Sequence, residues 1–371
     1  MRALSFQLLS GVLAALAGFL LYVYVTNRYR RRLRLRGVPV LMFVLGLLLV
    51  ATLGGAVLGF ALGPGPWLLA PIMVIAVAAV REIHRRWLRG RCRGEGPVET
   101  HNLGLSLARP ITTRDVALAR YEVSVPACPL GRLRVAVISD LHVGKALELE
   151  YYEGVFEAVA RQAPDLMVLP GDFVASTRSL PFLPPVLRLC RAPIGVFAVR
   201  GNHDFWSDSR GVAEALAEAG IRLLCNETAV LHLGRARVVL TGCEDPWARP
   251  SWQPPVSQPG DLVLAIAHTA DNIYRLSRAG ITAVFCGHYH AGQARVPGWG
   301  PVFVPSRYGR RFDHGHFMVH GTHLFVSAGI GASGPVVRIY CQPDVFLVDF
   351  LGNQSLDCPE PDTAASGDAR N

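Results

Sequence analysis

The chain has 371 residues, 51% of them hydrophobic, a mean hydropathy of +0.30 and a formal charge of +9. That length holds one large domain with additional segments, and the apolar content excludes a disordered or fibrous polypeptide. The charge is localised: 13 arginines and one glutamate fall in residues 1–94, leaving 24 basic against 27 acidic residues beyond. The later part therefore carries no basic footprint for nucleic acid, and the arginines mark a membrane boundary.

In chain order, residues 6–26 and 38–63 are apolar stretches of bilayer-spanning length, and a weaker third covers 66–80 after Gly-Pro-Gly-Pro at 63–66. Pro71 and its short length leave the third open to a tilted or re-entrant reading. Arg28, Arg30, Arg31, Arg32, Arg34 and Arg36 separate the first two stretches, and Arg81, Arg85, Arg86, Arg89, Arg91 and Arg93 follow the third. By the positive-inside tendency, three spans put the N-terminus outside and the domain after residue 93 in the cytoplasm, giving a multi-pass protein of the cell membrane. No basic region and no small-residue cleavage site frame residues 1–30, so a cleaved signal peptide is not expected. Eight cysteines without a C-x-x-C pair fit reduced, mostly buried thiols, with Cys286 in the core.

Residues 94–117 read as a linker, 118–353 as the domain and 354–371 as a disordered acidic tail. Strands are predicted at 121–125, 133–139, 165–169, 194–200, 236–241, 262–267, 282–286, 323–327 and 344–349. Helical spacing joins Tyr151, Tyr152, Val155, Phe156 and Val159, and again Val212, Ala215 and Leu216. Strands alternating with helices predict a layered α/β fold.

Polar clusters follow five of these apolar runs, where open α/β sheets gather ligands. Asp140 and His142 end Val135–Ser139, and in extended backbone their side chains point the same way. Asp172 follows Gly171, whose freedom permits a tight turn. Gly201-Asn202-His203-Asp204 is the most specific piece, combining a neutral oxygen donor with a histidine and a carboxylate. His268 follows Leu264–Ala267, and His288 and His290 follow Gly287. Taken singly, most of these read equally well as caps, turns or ordinary histidines. Their shared strand-end placement points to a divalent-metal site with oxygen and nitrogen donors, and without thiolate it suits Mn, Fe or Zn.

Ser139-Asp-Leu-His142, Gly171-Asp172, Gly201-Asn-His-Asp204, Ala267-His268 and Gly287-His-Tyr-His290 resemble, in order, the signature of the calcineurin-like metallophosphoesterase superfamily. The anchor, Gly287–Gln293, Tyr308-Gly-Arg-Arg and Ser327-Ala-Gly-Ile-Gly resemble its membrane-associated bacterial members. The resemblance implies a four-layer α/β/β/α sandwich over about 118–350. It implies two divalent cations, one on Asp140, His142, Asp172 and His290, the other on Asp172, Asn202, His268 and His288. Ala270, Tyr289 and Ala291 depart from common family residues, at positions that are not ligands.

Two cations sharing a carboxylate activate a bridging water and clamp phosphoryl oxygens. His203, oriented by Asp204, is then the expected catalytic histidine. These features imply a membrane-anchored hydrolase of a phosphodiester or pyrophosphate, with a lipid or lipid-linked nucleotide as substrate and no nucleic-acid partner. A phosphomonoesterase, a protein phosphatase and a non-catalytic membrane scaffold or sensor are the alternatives. Arg307, Arg310 and Arg311 offer anion contacts, and Lys145 lies close to His142 in sequence.

Overall fold

The computed structural model describes residues 2–29, 50–101, 109–144 and 146–352. The first part of the second apolar stretch (38–49), the 102–108 part of the linker, Lys145 and the tail fall outside the described residues.

The N-terminal region comprises α1 (Arg2–Tyr29), a π turn at Val50–Gly54, α2 (Gly55–Leu62) and, after a 3-10 turn at Pro66–Leu68, α3 (Leu69–Arg91). α1 and α3 are each long and apolar enough to cross a membrane. The third apolar segment therefore lies in one unbroken helix that continues through Arg91. Pro71 sits in the first turn, where its missing N–H has no intrahelical partner to lose, and the residues from Arg81 on are good helix formers.

The remainder is built on two sheets. In chain order the strands are β1 (Glu99–His101), β2 (Ala117–Ser124), β3 (Arg132–Val137), β4 (Leu166–Leu169), β5 (Gly195–Ala198) and β6 (Arg222–Leu223). They continue with β7 (Thr228–Leu233), β8 (Ala236–Cys243), β9 (Leu262–Ala267), β10 (Ala283–Cys286), β11 (Arg295–Val296) and β12 (Gly300–Pro301). β13 (Gly315–Val319), β14 (Thr322–Val326) and β15 (Asp344–Leu351) complete the set.

One sheet has the order β1-β2-β15-β3-β4-β5-β6, the other β13-β14-β10-β9-β8-β7. β3, β4 and β5 run parallel, as do β8, β9, β10 and β14. Their apolar runs lack alternation because both faces are covered: β4, β9 and β10 are buried at every position.

Between the sheets lies a core that includes Val135, Val168, Phe197, Leu264, Phe285 and Phe325. The outer face of the first sheet is covered by α4 (Leu149–Ala160), α5 (Leu183–Leu187) and, beyond α6 (Asn202–Ser207), α7 (Ser209–Glu218). α4 buries Tyr152, Val155, Phe156 and Val159, the stripe that its spacing predicts. α7 begins on Asp208, whose carboxylate accepts the Gly211 N–H at 2.9 Å. α8 (Ile273–Ser277) lies on the outer face of the second sheet. The result is the expected α/β/β/α sandwich.

Part of the predicted linker belongs to the fold, because β1 pairs antiparallel with the edge strand β2. Its Glu-Thr-His sequence is exposed throughout and offers no apolar signal. β13, also missed, joins β14 through His320-Gly321, both at positive φ (50° and 82°). The seven described cysteines are unpaired thiols, and Cys286 is fully buried in β10.

Candidate metal centre

The five polar clusters stand at one edge of the sandwich, where the carboxyl ends of β3, β4 and β5 meet those of β9 and β10. Past their strands, the first two loops remain hydrogen bonded: Asp140 N–H donates to Gly171 O and His142 N–H to Asp172 O, each at 3.0 Å. The backbone is not extended there. Asp140, His142, Asp172, His288 and His290 have φ of 52°, 44°, 57°, 71° and 48°. Left-handed non-glycine residues each cost about 1–3 kcal/mol and gather at functional sites. The extended D-x-H expectation is therefore wrong in its backbone: β3 ends at Val137, and turns bring the two side chains together.

Three sets of donor atoms each lie within 4.8 Å of one another: Asp140, His142 and His290; His142, Asp172 and His203; Asp172, His268 and His288. Asp172 Oδ2 is 3.5 Å from His142 Nε2 and 3.2 Å from His268 Nε2. His142 Nε2 faces His290 Nε2 at 3.1 Å, and Asp140 Oδ1 is 3.5 Å from His290 Nε2. Asn202 Oδ1 lies 3.1 Å from His268 Nε2. His268 Nδ1 lies 2.7 Å from the Pro170 carbonyl, which can only accept, so that nitrogen carries a proton and Nε2 is left to the cluster.

Two glycines are dictated by close approach. A Cβ on Gly201 would lie 2.2 Å from Asp172 Oδ1, and one on Gly287 would lie 2.0 Å from Asp140 Oδ2. Even alanine at either position would displace a carboxylate of the cluster.

Electrostatics favour a cation here. Burial pushes His142 down to about 3 and His290 well below the usual range, so both rings are neutral with lone pairs available. Burial also opposes charge on His268, but Asp172 outweighs it and raises the imidazole to about 9. Burial works against the Asp172 anion as well, and the surrounding histidines hold its carboxyl well below the usual range. Asp140 is pushed up to about 6 by burial. Buried anions, bare imidazole nitrogens and a neutral amide oxygen facing one point form a donor set suited to divalent metal. His142 Nδ1 is in addition buried without a hydrogen-bond partner among the described residues.

The expected orientation of His203 by Asp204 is not what the structure shows. The His203 ring packs edge-on against His142 at 4.7 Å and beside Trp206 at 5.2 Å, and its Nε2 lies 3.3 Å from Ser333 Oγ. Asp204 is turned from that ring and accepts four backbone N–H groups, from Asp172 (2.9 Å), Phe173 (2.8 Å), Val174 (3.3 Å) and Gly201 (2.8 Å). As the third residue of α6 it closes a capping arrangement onto Gly201. Burial and the Asp172 charge push it up to about 7.

Several residues that support the cluster carried no sequence signal. Arg338 is fully buried and donates to the carbonyls of Ala328 (2.7 Å), Gly329 (2.9 Å) and His290 (3.5 Å) and, through Nε, to that of Gly331 (3.1 Å). Trp247 packs edge-on against His268 and His288 at 5.5 and 5.6 Å. Arg200, just before Gly201, forms a bidentate pair with the fully buried Glu244 at 2.9 and 2.8 Å, joining the β5 end to the β8 end. Of the three loop arginines, Arg307 donates its backbone N–H to Asp271 at 2.9 Å. Arg310 reaches Glu82 of α3 at 2.7 Å, and Arg311 reaches Cys92 at 3.0 Å.

Residues 133–292 match the family model described as calcineurin-like phosphoesterase. Phosphodiesterase YaeI of Escherichia coli is 29% identical over 223 residues, covering 59% of this chain and 82% of that protein. A transmembrane protein with metallophosphoesterase domain from Danio rerio is 27% identical over 60% of this chain and 55% of its own length. UDP-2,3-diacylglucosamine pyrophosphatase LpxG of Chlamydia muridarum is 36% identical over 75 residues, 20% of this chain and 23% of that protein.

Proposed function

The chain carries a calcineurin-like metallophosphoesterase domain, a family of metal-dependent phosphoric ester hydrolases, and we propose that it is a membrane-anchored enzyme using two divalent cations. The observation that carries the two-cation reading is the position of Asp172, one carboxylate bordering both His142 and His268. In this reading Asp140, His142, Asp172 and His290 hold one cation, and Asp172, Asn202, His268 and His288 hold the other. Mn, Fe or Zn suits these ligands.

The cations would supply Lewis-acid polarisation of the phosphoryl group and a water activated at neutral pH. The protein's own residues do the rest. His203, beside His142 and between Trp206 and Ser333, is placed to donate a proton to the leaving oxygen or a hydrogen bond to the phosphoryl group. Asp204 holds the Asp172 loop, Arg338 holds the loop after β14, and Trp247 closes the side of His268 and His288 against water.

The substrate in this proposal is a phosphodiester or pyrophosphate of a lipid or lipid-linked nucleotide. Supporting it are the apolar helices α1 and α3, the transmembrane relative and the short match to a lipid pyrophosphatase. The arginine bias puts the domain, residues 118–353, on the cytoplasmic side of a multi-pass anchor. A reporter fused after residue 350 that reads as external would overturn that orientation.

The chemistry is tested with the full chain in detergent, loaded with Mn, on bis-p-nitrophenyl phosphate and the corresponding monoester. Metal-dependent hydrolysis with two bound ions per chain is expected, and Asp172→Asn is expected to lose both. Bound metal without turnover on either substrate would leave the scaffold reading.

A further inference from the structure

α1 and α3 lie side by side and run the same way. A Cβ on Gly63, ahead of α3, would meet the Gln7 side chain near the start of α1 at 3.7 Å, and the Arg81 guanidinium lies 4.3 Å over the ring of Tyr24 towards its end. The second pair marks the level at which the apolar stretches give way to arginine, where rings and cations meet a bilayer boundary. Phe19 sits five residues inside that level, about 7.5 Å along the axis of α1.

The hairpin β11–β12 reaches the same depth. Trp299 at its tip stands 6.0 Å from the Phe19 ring, and Arg86 donates to Gly298 O at 2.9 Å. Arg310, paired with Glu82 of α3 at 2.7 Å, lies 3.9 Å over the Trp299 ring. Residues 296–303, Val-Pro-Gly-Trp-Gly-Pro-Val-Phe, carry no charge, and Val296, Pro297 and Gly298 are exposed.

The turn also makes few demands on water. Pro297 has no N–H, the Trp299 N–H donates to Val296 O at 3.0 Å, and the Gly298 carbonyl is taken by Arg86. An uncharged tip with a tryptophan under an arginine suits the boundary between head groups and acyl chains.

At its base the hairpin is fixed to the loop of His288 and His290. Gly292, two residues after His290, packs so closely that a Cβ there would lie 2.2 Å from Pro301 Cβ. Arg295 donates to Ala291 O at 2.8 Å, and the Val302 N–H donates to Ala294 O at 3.1 Å.

We propose that the β11–β12 hairpin is a bilayer contact in its own right: its tip enters the head-group boundary beside α1 and α3, and its base holds the loop of His288 and His290 near the membrane surface. This placement rests on the reading of α1 and α3 as membrane spans. The occupant is lipid, because the tip continues the surface of two helices that are long and apolar enough to cross a bilayer.

The test reconstitutes the full chain in phosphatidylcholine vesicles with the photoreactive residue p-benzoylphenylalanine at Val296, at Val77 or at Val230, and reads lipid adducts by mass spectrometry after irradiation. Val77 is 53% exposed in the apolar part of α3, and Val230 is 40% exposed on β7, at the edge of the second sheet opposite β13. Val296 should form adducts at a yield close to that of Val77 and at least about tenfold above Val230. Adducts at Val77 with none at Val296 beyond the Val230 level would overturn the hairpin contact and leave the membrane anchor standing. No adduct at Val77 would remove the anchor, and the hairpin contact with it. Trp299→Phe gives a second reading without the label. In vesicles of dibrominated phosphatidylcholine the variant should show a smaller quenched fraction of tryptophan emission than the wild type, and an unchanged fraction would overturn the proposal.

Discussion

Asp204 accepts the backbone N–H of Asp172 at 2.9 Å, and Asp172 accepts the backbone N–H of His203 at 2.8 Å, so the loops after β4 and β5 hold each other through two carboxylates. Only Asp172 faces the cluster of metal-type donors. This separates two histidine and carboxylate roles that lie side by side in sequence. Asp204→Asn should lower cation affinity about 10–100-fold, as loss of an outer partner does. It should also destabilise the fold by about 1–3 kcal/mol, because an amide cannot satisfy four N–H donors. His203→Ala should keep the full metal content and lose about 10²–10⁴-fold in kcat. Metal analysis beside steady-state kinetics checks both, and the reverse pattern would exchange the roles.

Arg338 supports the site from below with no carboxylate partner among the described residues, its guanidinium spread over the carbonyls of Ala328, Gly329, Gly331 and His290. A planar fork with five donors suits that cage, and a lysine does not. Arg338→Met leaves several buried carbonyls unsatisfied at about 1–3 kcal/mol each, so a loss above about 3 kcal/mol is expected. Arg338→Lys should recover only part of it. Denaturant melts of the metal-free chain measure both, and a near-neutral methionine variant would show that water replaces the arginine there.

The sequence disclosed the strand-end residues because each follows an apolar run that stops abruptly, and the fold does bring Asp140, His142, Asp172, His268, His288 and His290 together. What it hid depends on closure of the chain over long separations. Asp204 meets partners about 30 residues upstream, Arg338 meets His290 48 residues away, and Arg200 meets Glu244 44 residues on. A lone arginine in a Gly/Ser-rich loop carries no periodicity that reveals such partners. The left-handed turns at Asp140 and His142 were hidden for a related reason. Local β propensity argues for extension there, and only packing against the Asp172 loop overrides it.

The basic end of α3 packs on the domain. Arg89 pairs with Asp313, whose side chain is 1% exposed, and donates to His314 O at 3.0 Å, while Arg85 donates to Arg310 O at 3.2 Å. The loop carrying Arg307 is thus fastened to α3. Arg89→Met should leave Asp313 with Arg295 as its remaining cation at 2.9 Å and loosen residues 306–314. Limited proteolysis of the full chain should cut that loop several-fold faster in the variant. Unchanged cleavage would mean that Arg89 does not hold that loop.

Proton linkage gives the metal centre a signed pH dependence. In the metal-free chain the His268 imidazole is raised to about 9 from an ordinary 6.5, with burial opposing its charge and Asp172 outweighing burial. A raised histidine contributes stability that is complete below the unfolded value and is lost as pH rises through the folded one, so the window is pH 6.5 to 9. Asp204, raised to about 7, loses its contribution in the same direction as its buried carboxyl ionises. Cations need His268 deprotonated, so they should release protons on binding and bind more tightly as pH rises across this window. The metal-free chain should therefore melt lower at pH 8.5 than at 6.5, and the rise in Tm on adding Mn should be larger at 8.5. Scanning calorimetry with and without Mn at the two pH values reads both signs. A Mn-induced rise that is larger at pH 6.5 would mean that His268 does not hold the proton in the metal-free site.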